Sequence, residues 1–533
     1  MKEKNPEETS YSCELLRNTI ISKISTAKKL FFAGDNRGMA ISAPLLVIGF
    51  VVFTVINPSY ADSVFSAAKN FIANEFGGFY IYLMSIILIL AILLSISPAH
   101  DIKLGKDDDT PEFHLFQWFS MLFGAGLGIG ILFWSIAEPM THMQTNPFIS
   151  ESEQLTEVGA QVGMRLSLFH WGLHGWAIYV VLGMALAYSS FRRGLPLSIR
   201  STLYTVFGDR IYGPLGFFAD LLAVAGTVFG IATSLGLGAQ QINAGLNYLA
   251  DMTIDITTQI GLIAVISVVA TVSALTGVKR GIRILSVLNM RLTLLILLAF
   301  FLLGPTGYLI TSLFKNSLDY FVNLPKLSFW VDPDPESPWQ NSWTIFYWGW
   351  WIAWAPFVSM FIARISRGRT IREFVIGVLL APTLLAIVWL TIFGNTAIYL
   401  QLFENSGIAA AVNQDLTSAL FTTIESMKAN TILTATIATV CVILLVTYFV
   451  TSADSATLVI CTLITMGDPN PSQRLRIFWG VAIGSVAAAL LFSGGLAALQ
   501  TASILAALPF SIVVILASFS LCTGLYKEVK ERR

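Results

Sequence analysis

Apolar residues run through this chain in long, nearly unbroken stretches, without the 3.6-residue period of a solvated helix or the alternation of a half-buried strand. A helix that crosses a bilayer needs about 20 mostly apolar residues. Twelve stretches qualify: 40–58, 79–97, 115–137, 166–190, 214–240, 257–276, 285–312, 343–363, 374–400, 431–463, 477–494 and 501–525. The pattern predicts an all-α polytopic membrane protein with twelve transmembrane helices. A polar segment, 1–39, precedes the helical region 40–525, and a short polar tail, 526–533, follows it. The polar start predicts no cleavable signal peptide.

Composition agrees with this reading. The chain is 55% hydrophobic and 12% charged, whereas a soluble domain carries about 25% charged residues. Lys+Arg and Asp+Glu both number 32, which argues against a nucleic-acid partner, since that needs a basic face. Four scattered cysteines do not form a disulfide framework.

Charge placement predicts the orientation. With the N-terminus inside, 26 of the 32 Lys and Arg fall in cytoplasmic segments and five in outer ones, while Arg291 lies in a span. Cytoplasmic loops carry the excess of Lys and Arg, so both termini are expected in the cytoplasm. The outer stretch 312–325 places Leu313, Leu318, Phe321 and Val322 on one helical face, which predicts a helix lying on the membrane surface.

Aromatic residues are densest at 343–354, WTIFYWGWWIAW, where five of the 13 Trp fall in twelve positions. At about 100° per residue, Trp343, Tyr347, Trp350, Trp351 and Trp354 share an arc of about 100°, with Trp348 off that face. An aromatic belt at headgroup level accounts for Trp343. It accounts poorly for Trp354, which lies about 16 Å deeper. Indoles clustered at that depth suit a cage for a quaternary ammonium, held by cation–π attraction.

Three further patterns carry candidate chemistry. Gly124, Gly126, Gly128 and Gly130 alternate inside the third stretch. They lack the dinucleotide-binding spacing, and within a membrane helix they permit either close packing or unwinding. In the tenth stretch Tyr448, Thr451, Ser452 and Asp454 form a polar patch. The hydroxyls suit a hard cation or their own i−4 carbonyls, and a buried Asp in a span is a functional candidate by default. In the fourth stretch His170 and His174 stand one turn apart, but two histidines alone do not complete a metal site. Trp171 and Trp176 face one cavity only if Gly172 or Gly175 bends the helix. A membrane-embedded enzyme using His170, His174 and Asp454 lacks a third metal ligand, and the polar residues form no continuous stripe for a channel. The sequence is not read as an enzyme.

Together these residues resemble the betaine/choline/carnitine transporter family. The resemblance rests on 343–357, WTIFYWGWWIAWAPF, followed by FIARISRGRTIREF, and on FHWGLHGWAIY, the alternating glycines and TSADS, all in the family's order from about residue 40 to 525. It implies two five-helix repeats of inverted topology, spans 3–7 and 8–12, with spans 1 and 2 peripheral, and a homotrimer with the surface helix near its contacts. It also implies an aromatic box of Trp171, Trp176, Tyr179, Trp350, Trp351 and Trp354 beside Gly126, Gly128 and Gly130, with Trp348 and Phe357 lining the route.

In sodium-coupled members one ion lies between the glycine stretch and span 10. Carried over, its ligands are carbonyls of Gly124, Leu127 and Tyr448 and hydroxyls of Thr451 and Ser452. A second ion site matches at Thr227, but Ile231 stands where its other threonine would be. The family's sodium-independent exchangers carry an arginine in span 5, and this span 5 has neither Arg nor Lys. The resemblance therefore implies import of glycine betaine by sodium symport across the cytoplasmic (inner) membrane, with no cofactor beyond the coupling ion. The alternatives are a proton-coupled choline importer, a carnitine/betaine exchanger and a dimethylsulfoniopropionate carrier. Osmotic activation accompanies long basic C-terminal extensions in the family, so the short tail implies weak osmotic gating.

Overall fold

The computed structural model describes residues 37–532 except Leu127, 277–280, 335–336, Lys428 and Pro469, and describes the backbone alone for 123–126, 276 and 281–283. The N-terminal segment 1–36 and the expected ion ligand Leu127 lie outside the described residues.

The described residues form helices joined by short turns, with one isolated β-bridge, Lys103 to Thr370. The principal helices are α1 (Arg37–Ile56), α2 (Pro58–Ile96), α3 (Leu115–Gly126), α4 (Ile129–His142), α5 (Glu157–Trp171), α6 (Leu173–Ala187) and α7 (Pro214–Ala250). They continue with α8 (Ile256–Thr276), α9 (Gly281–Leu303), α10 (Thr306–Ser328), α11 (Thr344–Ile365), α12 (Ile371–Glu404), α13 (Thr431–Ile464) and α14 (Gln473–Arg532). Ten helical segments among the described residues are long and apolar enough to cross a membrane, and the chain is a multi-pass membrane protein.

Three expected spans differ in form. The third is two helices of 12 and 14 residues, with Gly128 outside both, so neither half is long enough alone. The eleventh and twelfth run together as α14, whose 60 residues bend at Gly494 and at Gly495, the latter at φ +59°. Helix ends follow local chemistry elsewhere. Asn57 caps α2 by accepting from the Tyr60 N–H at 3.2 Å, with Pro58 at the first helical position, where its missing N–H costs nothing. Thr370 and Glu373 form a reciprocal capping box that starts α12.

Burial separates centre from rim. All of the most apolar window of residues 157–192 is buried, and 89% of that within 339–365, against 22% for α1 and 28% for 284–303. The outer faces of α8 and α9 expose Val265, Val268, Leu294, Leu298 and Leu302, a continuous apolar surface that suits lipid rather than water. The second helix is less peripheral than expected. Tyr80 donates to the Ile504 carbonyl at 2.9 Å, and Ser85 bonds the Ser328 carbonyl. The surface helix α10 is longer than the expected 312–325, beginning just after the break at Gly304 and Pro305. It exposes Phe314, Leu318, Phe321 and Val322, with Leu313 turned toward the protein.

The basic cluster after α11 is spent on structure. Arg367 makes a two-point bond to Asp109, at 3.0 and 3.1 Å, and Arg369 lies 4.0 Å over the Trp118 ring. Backbone bonds from Leu104 to Arg369 and from Gly368 to Leu104 tie this turn to the loop after α2. The Arg367 guanidinium holds the Asp109 carboxyl below the usual carboxylate range.

Candidate substrate site

The site forms where two central helices are broken. Gly128 sits at φ −146° and ψ −121° between α3 and α4, and Gly172 at φ −92° and ψ −142° between α5 and α6. At the second break the Leu173 N–H, which has no helical partner, donates to the Tyr320 hydroxyl at 3.0 Å. The fourth stretch is thus broken at Gly172, although the break does not bring Trp176 into one cavity with Trp171.

Beside the breaks lies a narrow cavity of about 20 Å³, lined by Gly128 at the first break, Gly130 and Ile131 from α4, Trp171 from α5, Tyr179 from α6, and Trp350, Trp351 and Trp354 from α11. The indoles stand edge to face. Trp171 meets Trp350 at 6.0 Å and 84°, and Trp351 at 5.6 Å and 79°, while Trp350 meets Trp354 at 6.1 Å and 77°. Gly130 makes the close approach possible, because a Cβ there would lie 2.5 Å from the Trp350 ring and 3.0 Å from Trp171.

Three indoles are anchored through their N–H groups, which fixes ring orientation. Trp350 donates to the Gly230 carbonyl at 3.3 Å and Trp351 to the His170 carbonyl at 3.0 Å. Trp171 donates to Glu138 Oε2 at 3.0 Å. Tyr179 and Trp354 both line the cavity, and the buried Tyr179 hydroxyl and Trp354 N–H, the latter beside Gly230, have no hydrogen-bond partner among the described residues. Since buried polar groups are as a rule paired, both are free to bond a ligand.

Three expected residues, Trp176, Phe357 and Trp348, stand outside the lining, and Gly126 is described by its backbone alone. Trp176 is a layer behind, packed against Tyr179 and Trp351 at 5.6 and 6.1 Å. Phe357 supports Trp354 from beneath at 5.7 Å. Trp348 points away, stacked on His174 at 5.5 Å. Gly126 ends α3.

Behind Trp171 lies a buried cluster that the sequence reading missed. Glu138 Oε1 accepts from His170 Nδ1 at 2.6 Å, Oε2 accepts from the Tyr347 hydroxyl at 2.5 Å, and Nε2 of His142 lies 3.4 Å away without a hydrogen bond. The expected third span stopped at residue 137, one position short, so the rule that flags a charge within a span never reached Glu138. Glu138, His142 and His170 bring ligand atoms within 4.8 Å of one another, but they fit a metal poorly. The Trp339 indole already bonds His142 Nδ1 at 3.3 Å, and Thr344 lies against His170 Nε2 at 3.1 Å. His174 turns elsewhere, toward Ser85.

On the far side of the α3–α4 break stands α13. A Cβ at Gly128 would lie 3.9 Å from Ser452 Oγ and 4.0 Å from the Tyr448 ring. The Thr451 hydroxyl reaches the Thr447 and Tyr448 carbonyls at 3.0 and 3.1 Å and accepts from Asn289 at 3.1 Å. Asp454 faces α8 instead, accepting from the Ser273 hydroxyl at 2.8 Å.

The model of the betaine/carnitine/choline family of transporters matches residues 39–530. The chain belongs to this family. It is 44% identical over 483 residues to the glycine betaine transporter OpuD of Bacillus subtilis, covering 90% of this chain and 93% of that protein. A glycine betaine transporter of Acinetobacter baylyi is 39% identical over 500 residues, covering 94% of this chain and 74% of its own. The osmo-dependent choline transporter BetT2 of the same organism is 39% identical over 502 residues, covering 93% and 71%. As a member of a transporter family the chain is not an enzyme.

Gly124 lies in the last turn of α3, where backbone carbonyls lack helical partners. Tyr448 is held by its hydroxyl bond to Thr293 at 2.6 Å. Thr227 is buried in α7 and donates to the Ala223 carbonyl at 2.8 Å, beside a buried Ile231.

Proposed function

We propose that this betaine/choline-family transporter imports glycine betaine by sodium symport with alternating access across the cytoplasmic membrane, as an osmoprotectant. The observation that carries this reading is the gathering of four indole rings around one cavity, two of whose lining residues, Tyr179 and Trp354, carry donors without a partner among the described residues. A trimethylammonium has no N–H to donate and is attracted by aromatic faces. A carboxylate accepts hydrogen bonds, so a zwitterion carrying both ends uses both features. The relatives named for glycine betaine support the same choice, while the choline transporter marks the nearest alternative substrate.

The coupling ion is a second substrate. Hard oxygens from α13 next to the unwound stretch suit sodium. An ion there would steady the α3–α4 break and with it the position of Gly128 and Gly130 in the cavity wall. By linkage, sodium then raises substrate affinity and substrate raises sodium affinity by the same factor. Twelve spans follow if α3 and α4 cross as one interrupted helix and α14 crosses twice around Gly494, and spans 3–7 and 8–12 then form inverted repeats. Both termini lie in the cytoplasm, and the exposed apolar face of α10 lies near homotrimer contacts.

Uptake of labelled glycine betaine into proteoliposomes tests the proposal, comparing an inward sodium gradient with equal potassium and adding choline, carnitine and dimethylsulfoniopropionate as competitors. Sodium-dependent uptake that resists the competitors is expected. Uptake that ignores sodium but follows a proton gradient, with choline preferred, would replace the symporter reading.

A further inference from the structure

We propose that Glu138 sets the charge and orientation of the substrate cage from behind its wall, acting through Trp171 on the positive end of the substrate. The proposal rests on the cavity being the onium site argued above, and it concerns a residue outside the cavity lining.

The carboxylate is fully buried, and its hydrogen-bond partners are an indole, a phenol and an imidazole. Oε2 accepts from the Trp171 indole and the Tyr347 hydroxyl, and Oε1 accepts from His170 Nδ1. No Arg or Lys pairs with it among the described residues. Protonation of the histidines can be read from their partners. An indole N–H only donates, so the bond from Trp339 makes His142 Nδ1 an acceptor and leaves its one proton on Nε2, facing Glu138. His170 donates through Nδ1, and the Thr344 hydroxyl can donate to its Nε2. Both rings neutral, with one negative charge on Glu138, is a state that satisfies every one of these bonds.

A buried anion without a cationic partner is costly, and here its missing partner is one indole ring away, in the cavity. Among the described residues the cage lining holds no carboxylate. An anion bonded to the N–H of Trp171 pushes electron density into the ring whose face meets the substrate, which strengthens cation–π attraction. Its field in a poorly screened interior adds direct attraction for the onium charge. The same two bonds to Oε2 hold Trp171 and Tyr347 in register, so Glu138 is a positioning residue as well as a charge.

Charge and shape are separated by two substitutions. Glu138→Gln keeps the length of the side chain and removes its charge, and His170 can meet the new amide N–H by moving its proton to Nε2. Glu138→Asp keeps the charge and shortens the reach. The affinity of purified protein is measured for glycine betaine and for its uncharged-headgroup isostere, 3,3-dimethylbutanoate, in each variant. The expected result is a loss of about tenfold in glycine betaine affinity for Glu138→Gln, with isostere affinity little changed. Glu138→Asp should keep more of the preference for glycine betaine over the isostere than Glu138→Gln, and the saturated transport rate should fall less than the affinity. An unchanged preference in Glu138→Gln, or better retention by Gln than by Asp, overturns the proposal. If Glu138→Gln does not fold, Trp171→Phe carries the test: it keeps an aromatic face and cuts the link to the carboxylate, so the preference should again fall, and an unchanged preference overturns the proposal. Wild-type protein that binds no onium at all removes the cavity assignment, and this proposal with it.

Discussion

The indole N–H of Trp351 donates to the backbone carbonyl of His170 at 3.0 Å. That carbonyl lies in the last turn of α5, where helical carbonyls have no partner of their own, so the break at Gly172 supplies the acceptor that orients a cage ring on α11. Gly175, in the first turn of α6, completes the fit, since a Cβ there would lie 2.6 Å from the same ring. The cage and the two helix breaks are thus one construction: glycines open the backbone, and the indoles occupy what the backbone releases.

Gly130→Ala tests the closeness of this packing. The added methyl would meet Trp350 at 2.5 Å and Trp171 at 3.0 Å, and overpacking of this kind costs about 1–3 kcal/mol. Both rings line the cavity, so on the proposed function the strain should appear as weaker glycine betaine binding by at least about fivefold. Gly261→Ala is the control, because nothing lies within 4 Å of its would-be Cβ. Equal affinity in the two variants would show that the wall has slack.

Tyr179→Phe removes a buried hydroxyl that has no partner among the described residues. Deleting an unpaired group should leave thermal stability unchanged or slightly raised, since no hydrogen bond within the protein is lost. Glycine betaine affinity should nevertheless fall by about 0.5–1.5 kcal/mol, roughly two- to twelvefold. A thermal-shift assay beside a binding titration separates the two effects. A stability loss without an affinity loss would place the hydroxyl in the scaffold.

The aromatic lining of the cavity was legible in the sequence where indole spacing on α11 maps onto one face. Trp350, Trp351 and Trp354 line the cavity, and Trp348, off that arc, does not. On α5 and α6 the spacing set Trp171 and Trp176 apart, and only Trp171 lines the cavity; the resemblance, not the spacing, had put Trp176 beside it. Glu138 escaped because its importance comes from three partners, His170, Trp171 and Tyr347, brought together by tertiary packing of three helices. Asp454 was conspicuous for the opposite reason, a lone acid in an apolar run, yet its bond is to Ser273, away from the cavity. The positions of the helices followed from hydropathy, while the continuation of α14 beyond Gly495 depends on backbone angles that hydropathy does not record.

Trp354→Leu and Trp348→Ala should part company. Trp354 lines the cavity, and its loss should cost about 1–2 kcal/mol of onium binding, roughly five- to thirtyfold. Trp348 is buried against Phe169 and His174. Truncating it removes a large packed side chain, at about 3–5 kcal/mol of stability, and should leave the affinity of the folded fraction near that of wild type. The pair is read from melting temperature and binding on the same samples. Matching affinity losses would mean that the route to the cavity includes Trp348.

The buried pair of Arg200 and Asp220 makes a prediction independent of the site. Asp220, near the start of α7, accepts from Arg200 Nε at 2.5 Å, from the Arg200 backbone N–H at 3.0 Å and from the Ser198 hydroxyl at 2.7 Å. Both side chains are almost inaccessible, at 4% and 0% exposure. Removing either partner leaves a buried charge without compensation, so Asp220→Ala or Arg200→Ala should each destabilise the protein by about 3–5 kcal/mol. Replacing both, as Arg200→Met with Asp220→Leu, removes both charges and should recover much of that loss. The double-mutant cycle isolates the coupling, because each single change breaks the same contact. Losses that simply add in the double variant would mean that Ser198 and the turn 199–203, rather than the ion pair, hold the start of α7 in place.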